Sequence, residues 1–129
     1  MDVRMALVAH DAAKATMLSL ASEYMDVLRT CRVCATRTTG KLLSERLALD
    51  VECLHSGPRG GDIQIAARIA GGLIDALIFL RDPLAAHPHQ ADVSALLRLS
   101  DLANVVCATN EATARVVLDA LRCARTAGA

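Results

Sequence analysis

The sequence has very few aromatic residues, no net charge and no long apolar segment. Of its 129 residues one is Tyr, one is Phe and none is Trp, and 14 Lys and Arg balance 14 Asp and Glu. Nucleic-acid binders use basic fields and aromatic stacking surfaces, so both shortages argue against that class. The apolar runs are too short and too closely flanked by charge for a transmembrane helix or a signal peptide. We therefore expect a cytoplasmic protein that binds neither nucleic acid nor membranes.

The cysteines do not form a disulfide framework. There are five of them, an odd number, which favours reduced thiols. Cys31 and Cys34 match C-x-x-C, but they fall in a predicted strand, where residues three apart point to opposite faces. We interpret them as small apolar fillers, and no Cys/His cluster has the spacing of zinc ligands.

Most of the chain is a plain apolar scaffold. Apolar residues make up 53% of it, which is too many for a disordered protein. At about 150 residues per domain, the length predicts one domain spanning 1–129. We expect its core over about 3–121 and a frayed tail over 122–129.

Five short apolar runs alternate with segments of helical periodicity. The runs are Val3–Ala9, Arg32–Ala35, Val51–Leu54, Ala76–Leu80 and Val105–Ala108. Near-continuous apolar strands indicate a parallel sheet covered on both faces by helices. The predicted fold is therefore α/β, a single-domain (βα)5 three-layer sandwich with an open five-stranded parallel sheet, Rossmann- or flavodoxin-like.

Polar residues follow each predicted strand, and all four histidines are among them. Open parallel sheets bind ligands beyond the carboxyl ends of their strands, so these residues are the candidates for a site. We also expect the site to have a cationic mouth formed by His10, Lys14, Arg37, Arg59, Arg81 and His89.

The segment Thr36-Arg37-Thr38-Thr39-Gly40 leads into a predicted helix. Hydroxyls together with the free N–H groups of a helix N-terminus suit a phosphate. The alternative is an ordinary N-cap with spare threonines. Lys14 lies about one helical turn after His10, so its ammonium could reach the same site. The alternative is that it is an ordinary exposed surface lysine.

The segment Ser56-Gly57-Pro58-Arg59-Gly60-Gly61-Asp62 is a second candidate loop. Its glycines permit close backbone approach to a ligand, and Asp62 opens the next helix. It is neither a phosphate-binding loop ending in Gly-Lys-Ser/Thr nor G-x-G-x-x-G, so a dinucleotide is not indicated. The alternative is a tight strand-to-helix turn capped by Asp62.

Three carboxylates, Asp62, Asp82 and Asp92, follow neighbouring strands. If they crowd together, one of them would have a raised pKa, as a general base requires. The alternative is that each is a cap or turn former, since Asp82-Pro83 is ordinary turn chemistry. His89 and Asp92 are close enough in sequence for the carboxylate to orient the imidazole.

Taken in order, these motifs closely resemble methylglyoxal synthases from about Val3 to about Leu121. The resemblance is carried by Ala6-Leu-Val-Ala-His10-Asp11 with Lys14, Ala35-Thr36-Arg-Thr-Thr-Gly40, Ser56-Gly-Pro-Arg-Gly-Gly-Asp62, Asp82-Pro-Leu84, Pro88-His89 with Asp92, and Leu96-Leu-Arg98. A single motif of this kind is weak evidence for a family, but six in the same order are specific evidence.

The resemblance implies an enzyme that eliminates phosphate from dihydroxyacetone phosphate without a metal or organic cofactor. Asp62 matches the family's catalytic base, and His10 and His89 match its other substrate contacts. The matches to phosphate-binding groups are Lys14, Thr36, Thr38, Thr39, Ser56 and Gly57, whereas Asp11, Asp82 and Asp92 match acidic residues around the active site. The family also implies a homohexamer, with phosphate as product and candidate allosteric ligand.

The sequence departs from the family pattern at several positions. Arg37 stands where a glycine is usual, and it either adds charge to the phosphate site or crowds it. Arg81 replaces a usually aromatic residue, Gln90-Ala91 replaces an acidic-proline step, and the C-terminus is short. Two alternatives stay open: a non-catalytic regulatory module of the same fold, and an enzyme acting on another small phosphorylated carbonyl compound.

Overall fold

Five parallel strands form one sheet in the computed structural model, which describes residues 2–86 and 89–127. The strands are β1 Arg4–Ala9, β2 Arg32–Ala35, β3 Val51–Cys53, β4 Ala76–Leu80 and β5 Val106–Ala108. Their order across the sheet is β3-β2-β1-β4-β5, and every pairing is parallel. Each strand begins and ends within one residue of its predicted apolar run, so the predicted (βα)5 fold is confirmed.

Helices connect the strands and cover both faces of the sheet. In the described ranges they are α1 Lys14–Glu23, α2 Met25–Leu28, α3 Arg37–Leu47, α4 Gly61–Ala70, α5 Gln90–Leu102 and α6 Glu111–Ala127. Two single turns of 3-10 helix precede α1 and α4, at Asp11–Ala13 and Gly57–Arg59. None of these helices is long and apolar enough to cross a membrane.

The central strand β1 divides the core into two layers because successive side chains point to opposite faces. Leu7 and its neighbours at alternate positions pack with Leu20 of α1, Leu43 of α3 and Leu118 of α6. The other face, which includes Val8, packs against α4 and α5 through residues such as Ile65, Ile69, Val93 and Leu96. Burial on both faces explains why the strands read as continuous apolar runs rather than alternating ones.

Helix α6 continues to Ala127, whereas the sequence pattern suggested a frayed tail over 122–129. Arg122 and Arg125 lie 2.7 and 3.0 Å from the Asp26 carboxylate, and Arg122 also stacks 4.5 Å from the Tyr24 ring centroid. These contacts with α2 and its N-cap hold the end of α6. The hydrogen bond from Arg122 keeps the pKa of Asp26 below its usual value.

The cysteines are free thiols, and the two cysteines of the C-x-x-C segment pack as buried or half-buried side chains. Cys34 is buried within β2, and burial raises the pKa of its thiol. Cys31 precedes the strand and donates a hydrogen bond to the Val27 carbonyl, and burial likewise raises its pKa. Thiols with raised pKa values carry little thiolate, which is unsuited to redox exchange.

Candidate active site

A cavity of about 360 Å³ lies beyond the carboxyl ends of the strands. Nine of the predicted site residues line it: His10, Asp11, Lys14, Thr36, Thr38, Ser56, Gly57, Asp62 and His89. They follow β1, β2, β3 and β4, around the point where the connections of the sheet reverse direction, which is where open α/β sheets bind ligands. Within the described ranges, no three His, Cys, Asp or Glu side chains are placed to hold a metal ion.

Asp62 and His89 come together at the inner end of the cavity. Asp62 lies in the first turn of α4 and its side chain is only 1% exposed, while His89 is the residue before α5. The Nε2 atom of His89 is 3.6 Å from Oδ2 of Asp62. The positive end of the α4 dipole favours an ionised carboxylate at this position. A buried carboxylate and an imidazole therefore face the same small volume.

Gly57 leaves that volume open. A Cβ built at Gly57 would lie 3.3 and 3.4 Å from the two carboxylate oxygens of Asp62 and 3.4 Å from Nε2 of His89. Any side chain at this position would therefore project between the two functional groups. The glycine has a steric role here, whereas its φ angle places no demand on residue type.

Gly61 has a different role, which is to let two backbone segments meet. A Cβ at Gly61 would overlap the carbonyl oxygen of His55. The N–H of Gly61 donates to the Ser56 carbonyl at 2.9 Å, and Gln64 accepts the N–H of His55 through its Oε1 at 2.8 Å. The loop is thus folded against the start of α4, and this close contact fixes Asp62 relative to Ser56.

The N-terminus of α3 presents free peptide donors. Thr36 is the N-cap, but its hydroxyl does not cap the helix. The N–H of Arg37 donates to the His55 carbonyl and that of Gly40 to the Thr36 carbonyl. Among the described residues no acceptor is seen for the N–H groups of Thr38 and Thr39. Helix N-termini with uncapped N–H groups are favourable positions for a phosphate.

Lys14 places an ammonium group at the cavity wall. Its Nζ donates to the Ala9 carbonyl at 2.6 Å and lies 3.3 Å from Oδ1 of Asp11. Of the lysines and arginines in the described ranges, Lys14 alone lines this cavity. The predicted cationic mouth is therefore smaller than expected, because the side chains of Arg37 and Arg59 are exposed outside it.

His10 is held by the end of β4. Its N–H donates to the Leu80 carbonyl at 3.0 Å, and its ring Nδ1 accepts the peptide N–H of Asp82 at 2.9 Å. The ring packs edge-on against Phe79 at 5.1 Å between centroids, and 6.2 Å separates it from the ring of His89.

Four predicted site residues do not line the cavity: Arg37, Thr39, Asp82 and Asp92. The Asp82 carboxylate accepts the N–H of Leu84 at 3.2 Å and, with Arg81, lines a separate cavity of about 280 Å³. Asp92 lies in the first turn of α5, and its N–H donates to the His89 carbonyl at 2.9 Å. Of these three carboxylates, Asp62 alone lines the cavity.

The remaining predicted residues are placed differently. Thr39 is fully buried in α3, and its hydroxyl has no hydrogen-bond partner in the part of the chain that the structure describes. His87 and Pro88, two further residues of the predicted site region, lie outside the described residues. No sequence pattern indicates the Ala9 carbonyl, which anchors Lys14, or Gln64, which anchors the loop.

Comparison with known proteins agrees with this geometry. The MGS-like domain family matches residues 16–109. The chain is 51% identical over 126 residues to methylglyoxal synthase of Burkholderia mallei, covering 98% of this chain and 97% of that protein. Methylglyoxal synthase of Burkholderia multivorans is 51% identical over 118 residues, or 92% and 91% of the two chains. A crystal structure of methylglyoxal synthase from Elizabethkingia anophelis superposes with a TM-score of 0.85 at 40% identity, covering 91% of this chain and 77% of that one.

Proposed function

Because this chain belongs to the methylglyoxal synthase family, we propose that it eliminates phosphate from dihydroxyacetone phosphate to give methylglyoxal and inorganic phosphate. The observation that supports this most is the meeting of the buried Asp62 carboxylate with His89 in the cavity that also holds Lys14. A non-catalytic module of this fold would need the threonine segment but neither Asp62 nor His89. The full-length relatives also favour the enzyme.

The reaction begins with removal of a proton from the hydroxymethyl carbon next to the ketone. Asp62 accepts this proton, and its burial limits competition from water. His89 donates a hydrogen bond to the ketone oxygen as that oxygen gains negative charge. Such donors, fixed before the reaction, stabilise charge that develops only in the transition state. The product of this step is an enediolate.

The phosphate group lies against the donors at the start of α3. In this proposal the N–H groups of Thr38 and Thr39, for which no acceptor is seen in the described part of the chain, donate to it. The hydroxyls of Thr36 and Ser56 and the ammonium of Lys14, which line the cavity, are its other partners. These groups hold the phosphate and stabilise its charge as it leaves. Because α3 and Lys14 are fixed by backbone contacts, the leaving group is held in one orientation relative to Asp62.

The enediolate then eliminates phosphate. The hydroxyl proton on the former hydroxymethyl carbon moves to the neighbouring enediolate oxygen, and a carbonyl forms at that former hydroxymethyl carbon as the aldehyde. The electron pair of the enediolate double bond shifts to form a double bond to the phosphate-bearing carbon, whose bond to the phosphate oxygen breaks. Inorganic phosphate leaves with the proton that Asp62 took up. The resulting enol gains one proton at the same carbon, which becomes the methyl group of methylglyoxal, and loses the proton on its oxygen, which becomes the ketone. Elimination requires the breaking carbon–oxygen bond to be close to perpendicular to the enediolate plane, so that it overlaps the π electrons. The bound phosphate, held in one orientation, sets the angle between that bond and the plane.

Incubation of the purified chain with dihydroxyacetone phosphate tests the proposal. We expect methylglyoxal and inorganic phosphate to appear in equal amounts, in buffer treated with a chelator as well as without it. Glyceraldehyde 3-phosphate serves as the control substrate. Formation of the triose phosphate isomer without phosphate release would contradict the proposal and favour another enzyme acting on a phosphorylated carbonyl compound. Absence of any product would leave the non-catalytic module as the better reading.

We also propose the finer properties that family membership suggests: a cytoplasmic homohexamer that bypasses part of glycolysis and responds to phosphate as an allosteric ligand. The edge strand β5 and the neighbouring helices leave apolar side chains exposed, Val106 at 51%, Leu102 at 71% and Val116 at 68%, which suits subunit contacts. Light scattering should give six times the 13.6 kDa of one chain. A monomer at micromolar concentration would refute the hexamer. Rate curves measured with added phosphate test the regulation.

A further inference from the structure

His10 is attached to the end of β4 at two points. Its main-chain N–H donates to the Leu80 carbonyl, and its ring Nδ1 accepts the peptide N–H of Asp82. The residue is 9% exposed, and its ring also rests edge-on against Phe79. The imidazole therefore has a defined orientation before any ligand binds.

The contact with Asp82 decides where the imidazole proton lies. A peptide N–H can only donate, so Nδ1 must present its lone pair at this 2.9 Å contact. The proton of the neutral ring is then on Nε2. Adding a second proton at Nδ1 would set two N–H groups against each other at the same distance. The opposite ring orientation would place a C–H against the peptide N–H and leave that donor without an acceptor.

We propose that His10 acts in the reaction as an uncharged hydrogen-bond donor through Nε2, and that Asp82 is its positioning residue through the peptide N–H. The inference rests on the proposed function for the meaning of the cavity, whereas the tautomer follows from the contact alone. It also gives Asp82 a role that needs no carboxylate in the cavity. The carboxylate instead accepts the N–H of Leu84 and so fixes the turn that presents the N–H of Asp82.

Several charged or titratable groups surround His10, and none replaces this contact. Lys14 and Asp11 come from its own segment, Asp62 from α4 and His89 from the residue before α5, and Arg81 neighbours Asp82. The carboxylate of Asp62 favours a charged imidazole, whereas the ammonium of Lys14 opposes it. The peptide N–H of Asp82 carries no titratable proton in the working range, so its demand for a lone pair persists as pH changes.

An uncharged donor suits the chemistry of an enediolate. An imidazolium is acidic enough to transfer its proton to the oxygen, which would quench the charge needed to expel phosphate. A neutral imidazole keeps its Nε2 proton and stabilises the oxygen by hydrogen bonding only. His10 and His89 would then act on the substrate oxygens from two sides of the cavity.

Nitrogen-15 NMR of the uniformly labelled full chain tests the tautomer. Spectra are recorded from about pH 8 to about pH 5.5, a range that includes the ordinary histidine pKa of about 6.5. Free imidazole is the reference. We expect His10 to keep a protonated Nε2 and an unprotonated Nδ1 while the reference becomes charged. A proton on Nδ1, a mixture of tautomers, or a ring that charges together with the reference would overturn the proposal. The result does not depend on turnover, so it is separate from any failure of the proposed function.

Two substitutions test the role of the donor. The amide of His10→Gln reaches toward the position of Nε2, whereas that of His10→Asn retains only an acceptor for the N–H of Asp82. We expect kcat of H10N to fall by about 100-fold, the loss typical of one oxyanion donor, and H10Q to recover at least about tenfold of it. Equal kcat values for the two variants would contradict a donor at Nε2. Circular dichroism spectra confirm that both are folded.

A second pair of substitutions tests whether Asp82 positions His10. Asp82→Asn keeps an oxygen for the N–H of Leu84, whereas Asp82→Ala removes it, and both keep the peptide N–H. We expect the His10 signals of D82N to match the unchanged chain and those of D82A to show both tautomers. Identical His10 signals in all three proteins would show that the carboxylate does not position His10.

Discussion

The Nε2 atom of His89 lies 3.6 Å from Oδ2 of Asp62, although the two residues come from segments on different sides of the central strand. Asp62 follows β3 and His89 follows β4, and β1 and β2 separate those strands in the sheet. Asp62 lies at the start of α4 in the connection from β3 to β4, and His89 precedes α5 in the connection from β4 to β5. The first parts of these two crossovers meet, which brings the base and the donor together. Gly57 lies beside both groups and keeps the space between them open.

Replacing Asp62 with Asn should remove the general base while keeping nearly the same shape. We expect kcat to fall by about 10²- to 10⁴-fold, the contribution typical of a positioned base. The measurement is the release of methylglyoxal and phosphate from dihydroxyacetone phosphate. Asp50→Asn is the matched control because Asp50 is exposed and does not line the cavity. An active D62N variant would show that another group takes the proton.

Replacing Gly57 with Ala should damage activity much more than stability. The added Cβ would lie 3.3–3.4 Å from atoms of Asp62 and His89, so one of them must shift by a few tenths of an ångström. Misplaced reacting groups cost up to about 100-fold in rate. We expect a loss of this order in kcat with an unfolding midpoint in urea close to that of the unchanged chain.

The control for this variant is Gly71→Ala at the other end of α4. There the nearest atom to an added Cβ is a carbonyl oxygen at 3.4 Å, an ordinary contact far from the cavity. We expect G71A to keep its kcat. If G57A kept it as well, the open space between Asp62 and His89 would have no role in the reaction.

Replacing Lys14 with Met should weaken phosphate binding. Its ammonium is the cation of the cavity wall and is aimed by the Ala9 carbonyl, so Met removes the charge and keeps much of the length. We expect kcat/KM for dihydroxyacetone phosphate to fall by about 100-fold, as the loss of a charge-assisted contact of roughly 3 kcal/mol implies. Lys41→Met, at an exposed position of α3, is the matched control. Equal values for the two variants would assign phosphate binding to the peptide N–H groups alone.

Replacing Asp26 with Asn should make stability less dependent on pH. The hydrogen bond from Arg122, together with the charges of Arg122 and Arg125, lowers the pKa of Asp26 from its usual value of 3.8. A pKa lowered in the folded state means that the stabilisation is present above the unfolded pKa and is lost as pH falls through the folded one. We therefore expect D26N to have a lower Tm than the unchanged chain at pH 7, and the difference in Tm to shrink as the pH falls below 3.8.

Salt provides the second measurement for Asp26. The side chain is 41% exposed, so salt screens its interactions with both arginines. The difference in Tm at pH 7 should shrink at about 1 M salt. Asp101→Asn, for which no ion pair is seen in the described ranges, is the control. A Tm difference that persists at both low pH and high salt would point to packing rather than charge.

The inner strands β1, β2 and β4 could be predicted within one residue because their apolar runs are buried on both faces, and an unbroken apolar run is the pattern of such burial. The edge strands β3 and β5 are more exposed, and their short apolar runs still mark them within one residue. Nine cavity residues could be predicted for a similar reason, since carboxyl ends of parallel strands share one edge. The direction of a side chain within a loop has no such signal. Asp82 follows β4 as predicted, yet its carboxylate accepts the N–H of Leu84, and its main-chain N–H is the group that donates to the His10 ring.

The extent of α6 is a different case, because local sequence does not indicate it. The segment from Arg122 onward has small and charged residues that read as a solvated tail, and its helical state depends on Asp26 and Tyr24, about 100 positions earlier. Contacts of that separation cannot be read from local pattern. Gly61 and His55 are only six residues apart, but the fit of Gly61 against the His55 carbonyl depends on how the loop folds and has no signal in the residue types.

The placement of β1 and β2 between the strands that lead to Asp62 and to His89 makes catalysis depend on the pairing of β3, β2, β1 and β4. Parting these strands would separate the base from the donor. We therefore expect no turnover from a form of the protein in which they have separated. Under denaturant, enzymatic activity and the circular dichroism of the sheet should decline along a single curve.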